Sequence, residues 1–102
     1  MWSLEKNCSL LKQRDQKAIQ ETIKRCARLH LDHIANSGDP FETGSSRPLD
    51  YGHWSAHKIE MLSEFSMGHG QAVSIGIALD SYYAWRHSLI CRTELDRIIT
   101  AL

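Results

Sequence analysis

Three histidines carry the first chemical signal in this chain. His53 and His57 are four residues apart, a spacing that puts both on one side of a helix. His69 follows His53 by 16 residues and lies between Gly68 and Gly70, where the next helix is expected to begin. Neutral imidazole is the commonest protein ligand for zinc, and two histidines at successive helix starts could converge on one cation. A catalytic zinc needs a third protein ligand and leaves a position open for substrate. The plainer alternative is a set of surface or capping histidines, since short motifs match by chance often. A third alternative is a standalone small zinc site using all three. His30 and His33 read as ordinary helix residues, and His87 has no partner in sequence.

Arg47 lies just before the histidine segment, in a Gly/Ser-rich loop. Such an arginine can grip a carboxylate or phosphate through two parallel N–H bonds, although a solvated loop charge is the commoner case. A helix start near Gly52–Trp54 adds free backbone N–H groups and a positive dipole end, which suits an anion. Asp50 competes for those donors as a cap and would repel the anion.

These groups need elements to position them. Met1 to Asp15 is mixed in character, a frayed or short helix. From Gln16 to Ala35 the apolar residues Ile19, Ile23, Cys26, Ala27 and Ile34 recur at helical spacing, with Asp15 as N-cap. Ser37-Gly38-Asp39-Pro40 ends that helix, and a polar connection runs on to Gly52. A second helix is expected from Tyr51–Trp54 to Phe65, capped by Asp50. Gly68-His69-Gly70 breaks the chain again. The run Gly70–Trp85 is apolar all round and predicts a central helix buried on every side. Trp54, Met61, Phe65, Met67, Tyr82, Tyr83 and Trp85 are expected in the core, and the cysteines as buried small groups. A last helix from Thr93 presents Leu95, Ile98, Ile99 and Leu102 on one face. It reaches Leu102 without Gly, Asn or Pro to end it, which suggests that further chain belongs downstream. The expected fold is an all-α small helical bundle.

Composition narrows the function classes. The 102 residues include 12 Lys+Arg and 12 Asp+Glu, so no excess of positive charge favours nucleic acid or an anionic membrane. At 42% hydrophobic and 24% charged, the chain is too apolar for disorder. Its longest stretch without Asp, Glu, Lys or Arg, Phe65–Leu79, contains His, Gln, Ser and Gly and is no membrane span. Cys8, Cys26 and Cys91 fit no disulfide or CxxC framework and suit a reducing, cytoplasmic compartment. No GxGxxG dinucleotide fingerprint occurs.

Two stretches, Arg47-Pro48-Leu49-Asp50-Tyr51-Gly52-His53-Trp54-Ser55-Ala56-His57 and His69-Gly70-Gln71-Ala72-Val73-Ser74-Ile75-Gly76, carry a resemblance. They resemble the dehydroquinate synthase superfamily of sugar phosphate cyclases. That pattern is a loop arginine, a GHxxxH helix start, then HGEAV and a small-residue helix. The similar region runs from about Gln16 to Trp85 and falls in the helical C-terminal domain of that family. The resemblance implies that His53 and His69 bind a divalent metal, zinc or cobalt. It implies that His57 is the catalytic histidine, in contact with the substrate phosphate. Arg47, Asp50 and Glu42 are implied to contact the sugar-phosphate substrate. The implied reaction uses NAD to oxidise a sugar phosphate, eliminates phosphate, reduces the carbonyl again and closes a carbocycle.

The departures are specific. The family's third metal ligand is a Glu on an earlier segment, and the NAD domain also precedes this region. The Glu expected after His69-Gly70 is Gln71, and Asp50 stands where Asn is common. The chain is thus expected to be one partial helical domain, residues 1–102, without an NAD-binding domain, and inactive alone. The alternative is a non-catalytic helical remnant or interaction module that forms homo-oligomers through exposed apolar surface.

Overall fold

The computed structural model describes residues 2–36 and 50–102, with side chains from residue 4 onward. It divides into two compact units, Met1–Ser46 and Arg47–Leu102. The described elements are all helices: α1 (Trp2–Lys12), α2 (Gln16–Asn36), α3 (His53–Leu62), α4 (His69–Arg86) and α5 (Arg92–Ala101). No strand occurs among the described residues, so the all-α expectation holds. No described helix is long and apolar enough to cross a membrane.

In the first unit α1 packs on α2. The α1 C-terminus closes by donation from the Asp15 N–H to the Leu10 carbonyl (2.9 Å) and from the Arg14 N–H to the Leu11 carbonyl (3.0 Å). Arg14 takes the left-handed position of this turn, φ 59°. Asp15 then caps α2 as expected, its Oδ1 accepting from the Ala18 N–H at 2.9 Å. The α2 apolar stripe departs from expectation. Ala18 is buried, but Ile23, Leu29 and Leu31 are exposed. Helix α1 has 11 residues and α2 has 21, so the far end of α2, with Leu29 and Leu31, lies beyond the reach of α1.

In the second unit α3 packs on α4, and α4 on α5. The α3–α4 contact rests on the absence of side chain. A Cβ placed on Gly76 would overlap the Gly52 carbonyl oxygen and stand 2.9 Å from Ser55 Oγ. A Cβ on Gly52 would lie 2.6 Å from Ile77 Cγ1 and 2.7 Å from the Ile77 nitrogen. Gly52 also has φ 79°, in the left-handed region where glycine carries no steric cost. Around this crossing Ala56, Ala72 and Ser81 are fully buried. Two hydrogen bonds across the crossing fix the register, and a third within α4 orients Ser81. The Gly52 N–H donates to Asp80 Oδ2 (2.7 Å), the Tyr51 hydroxyl to Ser81 Oγ (2.7 Å), and the Ser81 hydroxyl to the Ile77 carbonyl (2.6 Å).

Several expectations are corrected here. The N-cap of α3 is Gly52, not Asp50, because the left-handed turn at Gly52 brings Asp80 to the backbone donor. Helix α4 is not buried on every side. Ala72, Gly76 and Ser81 face the crossing, whereas Ile75, Leu79, Tyr82 and Tyr83 are exposed. Trp54 (85% exposed), Phe65 (74%) and Met61 likewise lie outside the core. The contact admits only small side chains, so the large ones stand on the other faces. Cys26 and Cys91 are exposed and Cys8 is half-buried; all three are free thiols.

Helix α4 ends with the Leu89 N–H donating to the Ala84 carbonyl (2.9 Å) and Ser88 left-handed at φ 58°. Helix α5 starts with the Cys91 N–H donating to Glu94 Oε2 at 2.8 Å, the return arm of a capping box. Leu95 is buried, and the Arg92 guanidinium lies 5.2 Å from the Trp85 ring centre.

Two stability measurements test this account. Alanine normally gains about 1 kcal/mol over glycine inside a helix. At Gly76 overpacking against backbone costs about 1–3 kcal/mol or more, so Gly76→Ala is expected to lower the melting temperature. Gly70→Ala, where a Cβ meets nothing within 4 Å, is expected to leave it unchanged or raise it. The second concerns acid. The Cys91 N–H, and after it the Cys91 thiol, holds the Glu94 carboxyl below its ordinary value. Its contribution is complete above the unfolded carboxylate value and fades as pH falls through the lower folded one. The stability gap between wild type and Glu94→Ala is therefore expected at neutral pH and should close in acid, as followed by denaturant unfolding.

Candidate metal centre

The close crossing fixes where α3 begins, and so where its histidines stand. His53 opens the helix, His57 follows one turn later, and Glu60 nearly one turn after that. Residues at i, i+4 and i+7 share a helix face. His53 and Glu60 are half-buried and His57 is exposed.

The turn after α3 returns the chain to this face. The Phe65 N–H donates to the Glu60 carbonyl (2.8 Å) and the Glu64 N–H to the Met61 carbonyl (3.1 Å). Glu64 and Phe65 both have positive φ, 51° and 60°. The Ser63 hydroxyl donates to the Glu60 carbonyl (3.0 Å) and accepts from the Met67 N–H (3.4 Å). The chain then enters α4 through Gly68, whose N–H donates to Gln71 Oε1 at 3.2 Å. His69 is the first residue of α4.

The three imidazoles meet. Ring centres are 5.4 Å apart for His53 and His69, 5.9 Å for His53 and His57, and 6.0 Å for His57 and His69. With metal–nitrogen bonds of about 2.0–2.1 Å and tetrahedral angles, two imidazoles on one zinc hold their ring centres roughly 5 Å apart. The observed spacings lie close to that. His69 Nδ1 is 3.1 Å from Glu60 Oε1, and His53 Nδ1 is 3.3 Å from the Tyr51 carbonyl oxygen. The ligand atoms that fall within 4.8 Å of one another are those of His57, Glu60 and His69; His53 is not in that set, although its ring centre lies 5.4 Å from that of His69. Imidazole nitrogens and a carboxylate oxygen are thus brought together, donor types that divalent cations accept.

The other site candidates fare differently. Asp50 is exposed, and the N-cap position of α3 belongs to Gly52. The Gly52 N–H is occupied by Asp80, so that donor is not offered to an anion. Arg47 and Glu42 lie outside the described residues. A shallow groove lined by Trp54, His57, Lys58 and Met61 opens beside the cluster. Glu60 was not singled out from sequence. Its signal was its register, seven residues after His53 and three after His57.

Comparison with known proteins follows the same lines. The chain matches the family described as "3-dehydroquinate synthase C-terminal" over residues 1–102. It is 36% identical over 100 residues to the 3-dehydroquinate synthase of Coxiella burnetii (strain CbuG_Q212), covering 97% of this chain and 28% of that protein. It is 34% identical over 95 residues to the 3-dehydroquinate synthase of Campylobacter hominis, covering 92% and 26%. It is 35% identical over 102 residues to that of Vibrio atlanticus, covering 97% and 27%. The chain thus spans little more than a quarter of the length of these relatives. No solved structure matches it.

Proposed function

Because this chain belongs to the 3-dehydroquinate synthase C-terminal family, we propose that it supplies the cation- and phosphate-binding half of a sugar phosphate cyclase. The reaction is elimination of phosphate from a sugar phosphate followed by closure of a carbocycle, with NAD as the transient oxidant. The observation that carries this reading is the convergence of His53, His57 and His69 from two helices.

His53 and His69 would hold a divalent cation, zinc or cobalt. A cation held there would supply Lewis acidity toward a substrate hydroxyl, which would favour oxidation at that carbon. His57 and Lys58 line one groove beside it and offer N–H donors to a phosphate. Arg47 would add a bidentate grip, with Asp50 and Glu42 contacting substrate hydroxyls. The open face of the cluster lets a substrate reach it. The nicotinamide half of the chemistry has no counterpart in these 102 residues, which contain no GxGxxG loop. We therefore propose that these 102 residues do not turn over by themselves; the free thiols of Cys8, Cys26 and Cys91 support a reducing, cytoplasmic setting.

Zinc titration by calorimetry tests this reading. Wild type is expected to bind zinc, and the His53→Ala/His69→Ala double variant to lose at least tenfold in affinity. His57→Ala is expected to keep zinc affinity and to weaken binding of inorganic phosphate to the zinc-loaded chain. Equal zinc binding by wild type and the double variant would remove the metal assignment.

Exposed Trp54, Leu62, Phe65 and Leu89 support a second reading, a non-catalytic helical module that self-associates. Size-exclusion chromatography over a range of concentrations separates the two. A concentration-dependent dimer without zinc binding favours the module, and zinc binding by a monomer favours the enzyme half.

A further inference from the structure

Glu60 touches His69 and also stands among the side chains close enough to share a cation. We infer that Glu60 is a positioning residue: its carboxylate accepts the Nδ1 proton of His69 and so leaves Nε2 as the lone-pair nitrogen for a cation. The inference deepens the proposed function and rests on its assignment of His69.

Four observations carry it. The Nδ1–Oε1 distance of 3.1 Å lies in hydrogen-bond range. An ionised carboxylate has no proton to give, so the proton of this bond belongs to Nδ1 and the neutral ring keeps its lone pair on Nε2. Glu60 is well placed to hold that geometry. Its side chain is 15% exposed against 55% for His69, and its carbonyl is pinned by the Phe65 N–H and the Ser63 hydroxyl. A half-buried carboxylate anchored by its own backbone is a firmer reference than the exposed ring it contacts. The same arrangement recurs at His53, whose Nδ1 faces the Tyr51 carbonyl oxygen at 3.3 Å. Two imidazoles on two helices are thereby set with the same nitrogen available. Finally, Gln71 cannot substitute for Glu60. Its amide oxygen is already engaged by the Gly68 N–H.

Carboxylate or carbonyl partners of this kind raise the basicity of a ligating imidazole and fix its orientation, and their loss typically weakens metal affinity 10–100-fold. A direct ligand role for Glu60 makes a different forecast. Glutamine retains an oxygen acceptor of the same reach but binds a cation poorly, so Glu60→Gln separates the two roles.

The experiment uses the whole 102-residue chain. Long-range proton–nitrogen NMR spectra of the metal-free protein, at a pH where imidazoles are neutral, read the tautomer of each histidine. His69 is expected as the Nδ1–H form in wild type and Glu60→Gln, and shifted toward the Nε2–H form in Glu60→Ala. Zinc affinity is expected to fall 10–100-fold in Glu60→Ala and only a few-fold in Glu60→Gln. A wild-type His69 in the Nε2–H form overturns the inference without any variant. So does a Glu60→Gln loss as large as that of Glu60→Ala, which would make Glu60 a ligand. Failure of the metal assignment looks different: wild type and the His53→Ala/His69→Ala variant bind zinc alike, while the His69 tautomer still reports on Glu60.

Discussion

The approach of two backbones at Gly52 and Gly76 is the constraint on which the second unit depends. A Cβ at either position collides with backbone atoms of the other helix. Flexible side chains can move aside, but a carbonyl inside a helix cannot do so without breaking its own hydrogen bonds. The contact therefore fixes the start of α3 against the middle of α4. Asp80 and Ser81 complete the lock by bonding the two residues that lead into that start, Gly52 and Tyr51. Everything one turn further along α3, His57 included, inherits its position from this joint.

That constraint also explains an inversion in the packing. The second unit buries Ala56, Ala72, Ser81 and Leu95, while Trp54, Leu62, Phe65 and Leu89 are exposed. A large residue at the crossing would separate the helices, and the ring centres of His53 and His69 would separate with them. Close approach and a bulky core are competing uses of the same interface. Here the interface is given to geometry, and dispersion contacts among small side chains replace the larger hydrophobic gain that Trp or Phe would bring.

The sequence conveyed the helices well and their ends unevenly. Asp15 announces α2 because its side chain has one natural acceptor role at a helix start, and the structure has it in that role. The Ser37-Gly38-Asp39-Pro40 cluster marks the end of α2 at Asn36 as expected, but the other turns use different residues. The left-handed residues that close α1, α3 and α4 are Arg14, Glu64 and Ser88. Each tolerates its positive φ because two backbone hydrogen bonds close around it. No composition signal marks such a turn. The cap at Gly52 was hidden similarly, since its partner Asp80 is 28 residues away and only the folded crossing brings it near. Apolar content on all sides of α4 does not mean contact on all sides, because its two neighbouring helices within the unit leave faces uncovered.

The candidate site was legible to the extent that its chemistry is local. His53, His57 and His69 show themselves by residue type and spacing, and the family pattern strengthens them. Glu60 does not, because a glutamate in an amphipathic helix is ordinarily a solvated charge. Its meaning arises from the turn at Ser63–Met67, which returns His69 over the face that Glu60 shares with His53 and His57. The same turn makes the carboxylate a fixed feature, because Ser63 and Phe65 hold the Glu60 backbone that bears it. A cation site assembled from two helices has two separate requirements: the rings must meet, and each must turn an unprotonated nitrogen toward the cation. The glycine crossing and the α3–α4 turn meet the first. The oxygen atoms of Tyr51 and Glu60 address the second, so the reactive end of each ring is selected by a group that the sequence alone gives no reason to notice.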